Sequence, residues 1–131
     1  MTLLDTNILI QCLQGKQPVS SRFIAAIPSE IAIPSVVAYE LEYGTLKIGS
    51  AQRRKILSQM LEGLDEAPFD RQAAREAARI RIALERRGVV IGPLDLLIAG
   101  TAMSLGAILA TNNTREFSRI KGLRIEDWTK S

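Results

Sequence analysis

The apolar positions of this chain fall into short runs separated by longer stretches of helical period. Leu3-Leu4 is a brief apolar run that ends on the carboxylate of Asp5. Thr6 and Asn7 break the pattern, and Ile8, Leu9, Ile10 and Leu13 resume it. That order predicts a buried strand, a turn, and a short helix from Ile8 to about Leu13, stopped by Gly15 and Pro18. Ser20 or Ser21 is placed to cap a second short helix with Phe23, Ile24 and Ile27 as its apolar face. Ile31 to Ile33 reads as a strand ended by Pro34, and Ser35 as the cap of a helix from Val36 whose apolar positions continue at Leu41, Leu46 and Ile48. After the break at Gly49-Ser50, residues 51–62 form a helix with Ile56, Leu57, Met60 and Leu61 facing inward. Residues 64–69 read as an edge strand or extended link, because Pro68 has no N–H for a ladder.

Asp70 caps a long Ala- and Arg-rich helix ending near Arg87, with Gly88 as its stop. Val89 to Ile91 leads to Gly92-Pro93, and Leu94 to Leu105 is apolar almost all round, the signature of a buried helix. Gly106 ends it, residues 107–110 form a buried strand, and Thr111 to Thr114 form a polar turn. Arg115 to Ser118 is a short helix, Lys121-Gly122 a turn, and Leu123 to Ile125 a last strand. Short strands alternating with longer helices predict an α/β fold, a parallel sheet with helices on both faces. The 131 residues suit one domain, 1–131, and contain no repeat, low-complexity segment or linker.

Composition narrows the chemistry. Hydrophobic residues make up 47% of the chain, enough for a packed core. Aromatics are only 5%, which argues against rows of stacking platforms for nucleic acid. The net charge of +3 fits a polyanionic partner without demanding one. Histidine is absent, which excludes Ser-His-Asp and Cys-His catalysis, histidine-based RNA cleavage and imidazole zinc sites. Cys12 is the single cysteine, so no intrachain disulfide or thiolate cage forms, and its apolar neighbours read it as a buried, inert thiol. No apolar run approaches a membrane span, and no basic lead precedes the first apolar run, so the expected location is the cytoplasm.

Besides the one that carries Asp5, three later segments place an acid where an apolar residue would pack better. If the first strand is central, Asp5 lies at its carboxyl end, where open α/β sheets bind ligands. Glu40 shares a helix face with Val36, Val37, Leu41 and Gly44, and a charge in that stripe must be compensated by a protein cation or a bound metal. The plain alternative is a rotated helix with Glu40 solvated beside Glu42. Asp95 aligns with Ile98, Ala99 and Ala102, so it either caps its own helix or points into a site. The turn after residues 107–110 adds Thr111, Asn112 and Asn113 at the same sheet edge, with Glu116 one step into the next helix. These groups supply oxygen ligands only, which suit Mg²⁺ or Mn²⁺ and not zinc or copper. Acids with one or two such ions are a standard apparatus for cleaving phosphodiesters.

At these residues the chain resembles the PIN-domain ribonucleases and, among them, the VapC toxins of bacterial toxin–antitoxin pairs. The matching pieces are Leu4-Asp5-Thr6-Asn7, Ser35-Val36-Val37 through Glu40-Leu41-Glu42-Tyr43-Gly44, Ile91-Gly92-Pro93-Leu94-Asp95 with Ile98-Ala99, and Thr111-Asn112-Asn113-Thr114-Arg115-Glu116-Phe117. Gly122 to Trp128 resembles the family's C-terminal end. The resemblance implies an α/β/α sandwich on a short parallel sheet and a Mg²⁺- or Mn²⁺-dependent endoribonuclease. It also implies a homodimer, and neutralisation by a cognate antitoxin protein. It assigns Asp5, Glu40 and Asp95 to the acidic metal site, with Thr6, Asn7 and Thr111 orienting acids or water. Many relatives carry an aspartate where this chain has Asn113, so the fourth site residue is either Asn113 or Glu116. For Glu116, metal ligation competes with a capping box back to the backbone N–H of Asn113.

Other readings are a PIN nuclease of RNA processing that is no toxin, a Mg²⁺-binding phospho-acceptor signalling domain, and an idle binding module. The signalling domain would need a lysine after a late strand, and none occurs between Lys55 and Lys121. Arg71, Arg75 and Arg79 make a basic stripe that reads as a solvated helix face rather than a phosphate contact. The helices at 8–13 and 51–62 carry more apolar residues than a small domain covers. Part of that surface is therefore expected to lie under a second copy or an amphipathic antitoxin segment.

Overall fold

The computed structural model of the chain describes residues 1–130. Its strands are β1 (Thr2–Leu4), β2 (Ile31–Pro34), β3 (Asp65–Ala67), β4 (Ile108–Ala110) and β5 (Arg124–Glu126), and every pairing among them is parallel. The helices are α1 (Thr6–Leu13), α2 (Val19–Ala25), α3 (Ser35–Ile48), α4 (Ala51–Glu62), α5 (Arg71–Arg86), α6 (Pro93–Leu105) and α7 (Thr114–Phe117). Successive strand residues point to opposite faces of a sheet, and Leu3, Leu4 and all of β2 are buried, so helices cover both faces. This is the three-layer α/β/α arrangement read from the sequence.

The strand order is β3-β2-β1-β4-β5. The chain winds outward from β1 through β2 to β3, then returns to the other side of β1 to lay down β4 and β5. The order reverses between β1 and β4, and in open α/β sheets that reversal creates a ligand crevice at the strands' carboxyl ends. It also differs from the 2-1-3-4-5 order of flavodoxin-like signalling domains, which removes the phospho-acceptor reading on topology.

The differences from expectation are mostly rotations of helix faces. α2 begins at Val19, which is fully buried, so its inward stripe is Val19 and Phe23, while Ile24 and Ile27 are 79% and 56% exposed. Ser20 and Ser21 do not cap α2; Gln17 accepts from the backbone N–H of Ser21 (3.1 Å) and from its hydroxyl (2.6 Å). Ser35 is the first residue of α3 rather than its cap, and its Oγ accepts the N–H of Phe69 at 3.0 Å, which ties the link after β3 to the start of α3. Leu46, Ile48 and Ile56 face outward. β5 lies one residue later than expected, and Cys12 is half-buried, its thiol pushed up to about 11 by burial. Ser131 lies outside the described residues.

Candidate active site

Asp5 is placed by the sheet and by the first turn of α1 together. Its N–H donates to Ala110 O at 2.9 Å, continuing the β1–β4 ladder one residue past the strand. Its extended backbone makes it the N-cap of α1, and its Oδ1 accepts the N–H of Thr6 at 2.8 Å. Across the switch point, the fully buried Thr111 donates its hydroxyl to Oδ2 at 2.7 Å and accepts the N–H of Asn113 at 2.9 Å. Burial raises the pKa of Asp5, the bonds from Thr111 and Thr6 oppose the shift, and the charge of Glu116 adds to it. Each carboxylate oxygen retains lone-pair capacity beyond these bonds.

Thr6 joins α1 to α3, its hydroxyl donating to Glu40 Oε1 at 2.9 Å. Glu40 is half-buried beside Val36, Val37 and Leu41, so the helix is not rotated to leave it free beside Glu42. A neutral hydroxyl is its only protein hydrogen-bond partner among the described residues, where the ion pairs are Glu76–Arg79 and Arg81–Glu85, both within α5. Among the described residues no ion pair reaches Glu40, which solvent reaches from its exposed side.

Asp95 does not cap α6; Gly92 is the N-cap residue and, having no side chain, makes no side-chain capping bond. Instead Asp95 lies on the face of Ile98, Ala99 and Ala102, all fully buried, and the charges of Glu116, Asp5 and Glu40 act on it. Burial, then the hydrogen bond and charge of Glu116, then the charges of Asp5 and Glu40, push its carboxyl up to about 7. Glu116 is held from two loops. Its Oε1 accepts the N–H of Gly92, and its Oε2 accepts Asn113 Nδ2 at 2.8 Å. The capping-box alternative is absent, because no carboxylate oxygen of Glu116 accepts the backbone N–H of Asn113, which goes to Thr111. Burial disfavours the charge of Glu116, but the bonds from Asn113, Gly92 and Asp95 and the charge of Arg119 outweigh it, and its pKa is lowered.

Among the remaining candidates, Asn7 is exposed and meets no acid; its Nδ2 reaches Asn112 Oδ1 at 3.4 Å across the switch point. Asn113 lies beside Glu116 and donates its Nδ2 to it. Gly92 and Arg119 were missed at the level of sequence. The signal for Arg119 is its i+3 spacing from Glu116; nothing local marks the Gly92 N–H. Among the described residues, no three acids stand together as a ready cage. The donor chemistry still fits a hard divalent cation, since four acids act on one another across this edge and every available ligand is oxygen.

Residues 2–123 match the PIN domain family. The chain belongs to the PIN-domain family. Relatives that it matches over nearly its whole length include VapC ribonucleases. It is 39% identical to the tRNA(fMet)-specific endonuclease VapC of Salmonella typhimurium (strain LT2), over 96% of each chain. It is 38% identical to the protein of that name from Shigella flexneri, over 97% of each. The PIN fold is equally close in solved structures: DNA-bound VapBC from Salmonella typhimurium matches with a TM-score of 0.88 and 37% identity, covering 97% of both chains.

Proposed function

We propose that this PIN domain is the toxin of a toxin–antitoxin pair and cuts RNA phosphodiesters endonucleolytically with a Mg²⁺ or Mn²⁺ ion. The observation that carries the reading is the convergence of Asp5, Glu40, Asp95 and Glu116 at the β1–β4 switch point, with no ion pair at Glu40 among the described residues. The family relationship supports it, since the relatives are named as endonucleases and ribonucleases. Asp5 and Asp95 are the most direct ligands, with Glu40 and Glu116 completing the acidic rim. When bound, the cation polarises the phosphoryl oxygen and lowers the pKa of water. The chain's own residues do the positioning. Thr111 and Thr6 fix both oxygens of Asp5, Thr6 also steers Glu40, and Gly92 and Asn113 aim Glu116. The first substrate to test is tRNA(fMet), for which two relatives are named. No helix among the described residues is long and apolar enough to cross a membrane, and the proposed site of action is the cytoplasm.

The antitoxin has a place to dock. α1, α3 and α4 enclose a groove of about 620 Å³, lined by Ile10, Leu13, Leu41, Ile48 and Ile56, with Glu40 on its wall. An amphipathic antitoxin segment laid there covers apolar surface and brings a basic side chain to the acids. Solved relatives that are VapBC assemblies support such a partner. A separate outward strip on α3, Tyr39, Tyr43 and Leu46, 57–62% exposed, is assigned to a second copy of the chain.

One assay tests the reading as a whole. Purified protein is expected to cut single-stranded or loop RNA with Mg²⁺ or Mn²⁺, to stop in excess EDTA, and to stop when the antitoxin is added. Leu13→Asp should spare cleavage and abolish that inhibition. Cleavage that persists in EDTA, or in Asp5→Asn, would overturn the site; a monomer in sedimentation would overturn the second copy. Glu116→Gln is a finer test. It keeps the shape, removes the charge and sets an amide N–H₂ against a donor, so it should weaken Mg²⁺ binding and slow cleavage while costing about 1 kcal/mol of stability. An unchanged metal titration would leave Glu116 as a brace between two loops.

A further inference from the structure

The connection between α5 and α6 carries features that neither the fold nor the acidic site requires. Val90 at its tip is 81% exposed, although Val89 is half-buried and Ile91 is in the core. On one side of it, Arg87 donates Nη1 to Arg119 O at 2.8 Å; on the other, Arg119 donates Nη1 to Val90 O at 3.4 Å. Two residues beyond Val90, the N–H of Gly92 binds Glu116, and the positive charge of Arg119 is felt by that same carboxylate. Each guanidinium has five N–H donors, and one of each is used here. Neither arginine is in an ion pair among the described residues. Arg119 therefore acts on Glu116, one of the four acids, without forming an ion pair to it, and Arg87 and the exposed Val90 are joined to Arg119 by hydrogen bonds.

That juxtaposition has a use if the substrate is a polyanion. A strand approaching Asp5, Glu40, Asp95 and Glu116 is repelled by them, and a neighbouring cationic surface offsets the repulsion. We propose that Arg87 and Arg119 grip the phosphate next to the scissile bond of a single-stranded RNA, with Val90 under the adjoining ribose or base. This rests on the ribonuclease reading and names how the same site holds its substrate. The stripe at Arg71, Arg75 and Arg79 does not share the role. Arg79 is paired with Glu76, and Arg71 and Arg75 lie at the end of α5 remote from the connection 87–92.

The test uses the full chain with paired substitutions. Binding of a short, mixed-sequence single-stranded RNA is followed across a salt titration in the Asp5→Asn background, so that the strand is not consumed. Arg87→Gln with Arg119→Gln should weaken binding about 10-fold and lower the salt slope by about 0.7, the share of the one phosphate that the pair neutralises. With Asp5 intact, the same pair should raise KM about 10-fold and leave kcat within about two-fold, the pattern expected when uniform binding is weakened. Arg87→Lys with Arg119→Lys should keep most of the salt slope. Arg71→Gln with Arg75→Gln removes the same net charge and should change neither quantity. An unchanged slope in the Gln pair overturns the proposal. So does a Lys pair as damaged as the Gln pair, which would make the arginines braces of the connection. Loss of antitoxin affinity in place of RNA affinity overturns it as well, and reassigns the ledge to a protein partner. Wild-type protein that cuts while the Gln pair is normal refutes the ledge alone; wild-type protein that never cuts refutes the nuclease reading, and the binding titration still decides the ledge.

Discussion

Asp95→Asn is expected to abolish RNA cleavage and, in the absence of divalent cations, to make the protein more stable. The activity loss should exceed the roughly 10–100-fold cost of losing an outer partner of a metal ligand, because Asp95 is assigned as a ligand itself. The stability gain follows from where the acid sits. Burial, with Glu116, Asp5 and Glu40 around it, pushes the Asp95 carboxyl from the ordinary 3.8 to about 7. The folded state therefore holds the proton more tightly than the unfolded chain. Below 3.8 both states are protonated and the group costs nothing; from there to about 7 only the unfolded chain ionises freely, so stability falls as pH rises, and above about 7 the full penalty persists. The group is only half-buried, so solvent screening reduces the penalty to about 1–2 kcal/mol, a rise of roughly 4–8 °C in Tm at pH 8 for the amide. Thermal melts in EDTA from pH 4 to 8 check this. Wild type should lose ground to Asp95→Asn across that range, and Mg²⁺ should stabilise wild type at pH 8 while leaving the variant where it was. Parallel melting curves at every pH would remove Asp95 from the acidic cluster.

Local pattern makes some parts of this fold legible, and topology hides others. The Leu3-Leu4 run ending on Asp5, the all-apolar α6 and the strand at 108–110 are legible because each is a continuous signal within a few residues. The bond that fixes Asp5 is not, because its donor, Thr111, lies 106 residues away and becomes a neighbour only through the β1–β4 pairing. Glu116 shows the same limit. Sequence offers a capping box three residues back or a metal, whereas its Oε1 is held by Gly92, 24 residues earlier in the chain. Helix faces depart from expectation where the start of the helix moves. With Val19 taken into the core, Ile24 turns outward, although its apolar character suggests the reverse. Outward apolar residues such as Tyr43 and Leu46 are clear only once the packing is seen, because a hydrophobic residue facing a partner and one facing the core read alike along the chain.

Gly100→Ala is expected to destabilise the protein more than its single methyl suggests. Gly100 lies in the middle of α6, where a glycine ordinarily costs a helix about 1 kcal/mol relative to alanine. The reason for tolerating it is the approach of α5. A Cβ built at Gly100 would stand 2.7 Å from Ala73 O, 2.7 Å from Ala77 Cβ and 2.8 Å from Ala77 N. Carbon contacts relax near 3.5–4.0 Å, and two of these three neighbours are backbone atoms, so no rotamer change relieves the clash. The helices must part, and overpacking of this kind costs about 1–3 kcal/mol. Even after the gain in helix propensity, Tm should fall by several degrees. The strain also reaches the site, because α6 carries Asp95 on its first turn and the connection from α5 delivers the Gly92 N–H to Glu116. Cleavage per folded molecule should therefore drop as well, at a temperature where the variant is still native by circular dichroism. Gly44→Ala in α3 is the control, since a Cβ there meets nothing within 4 Å and should leave stability unchanged or slightly raised. If Gly100→Ala melts with Gly44→Ala, the close α5–α6 contact is not what sets the position of the Asp95 turn.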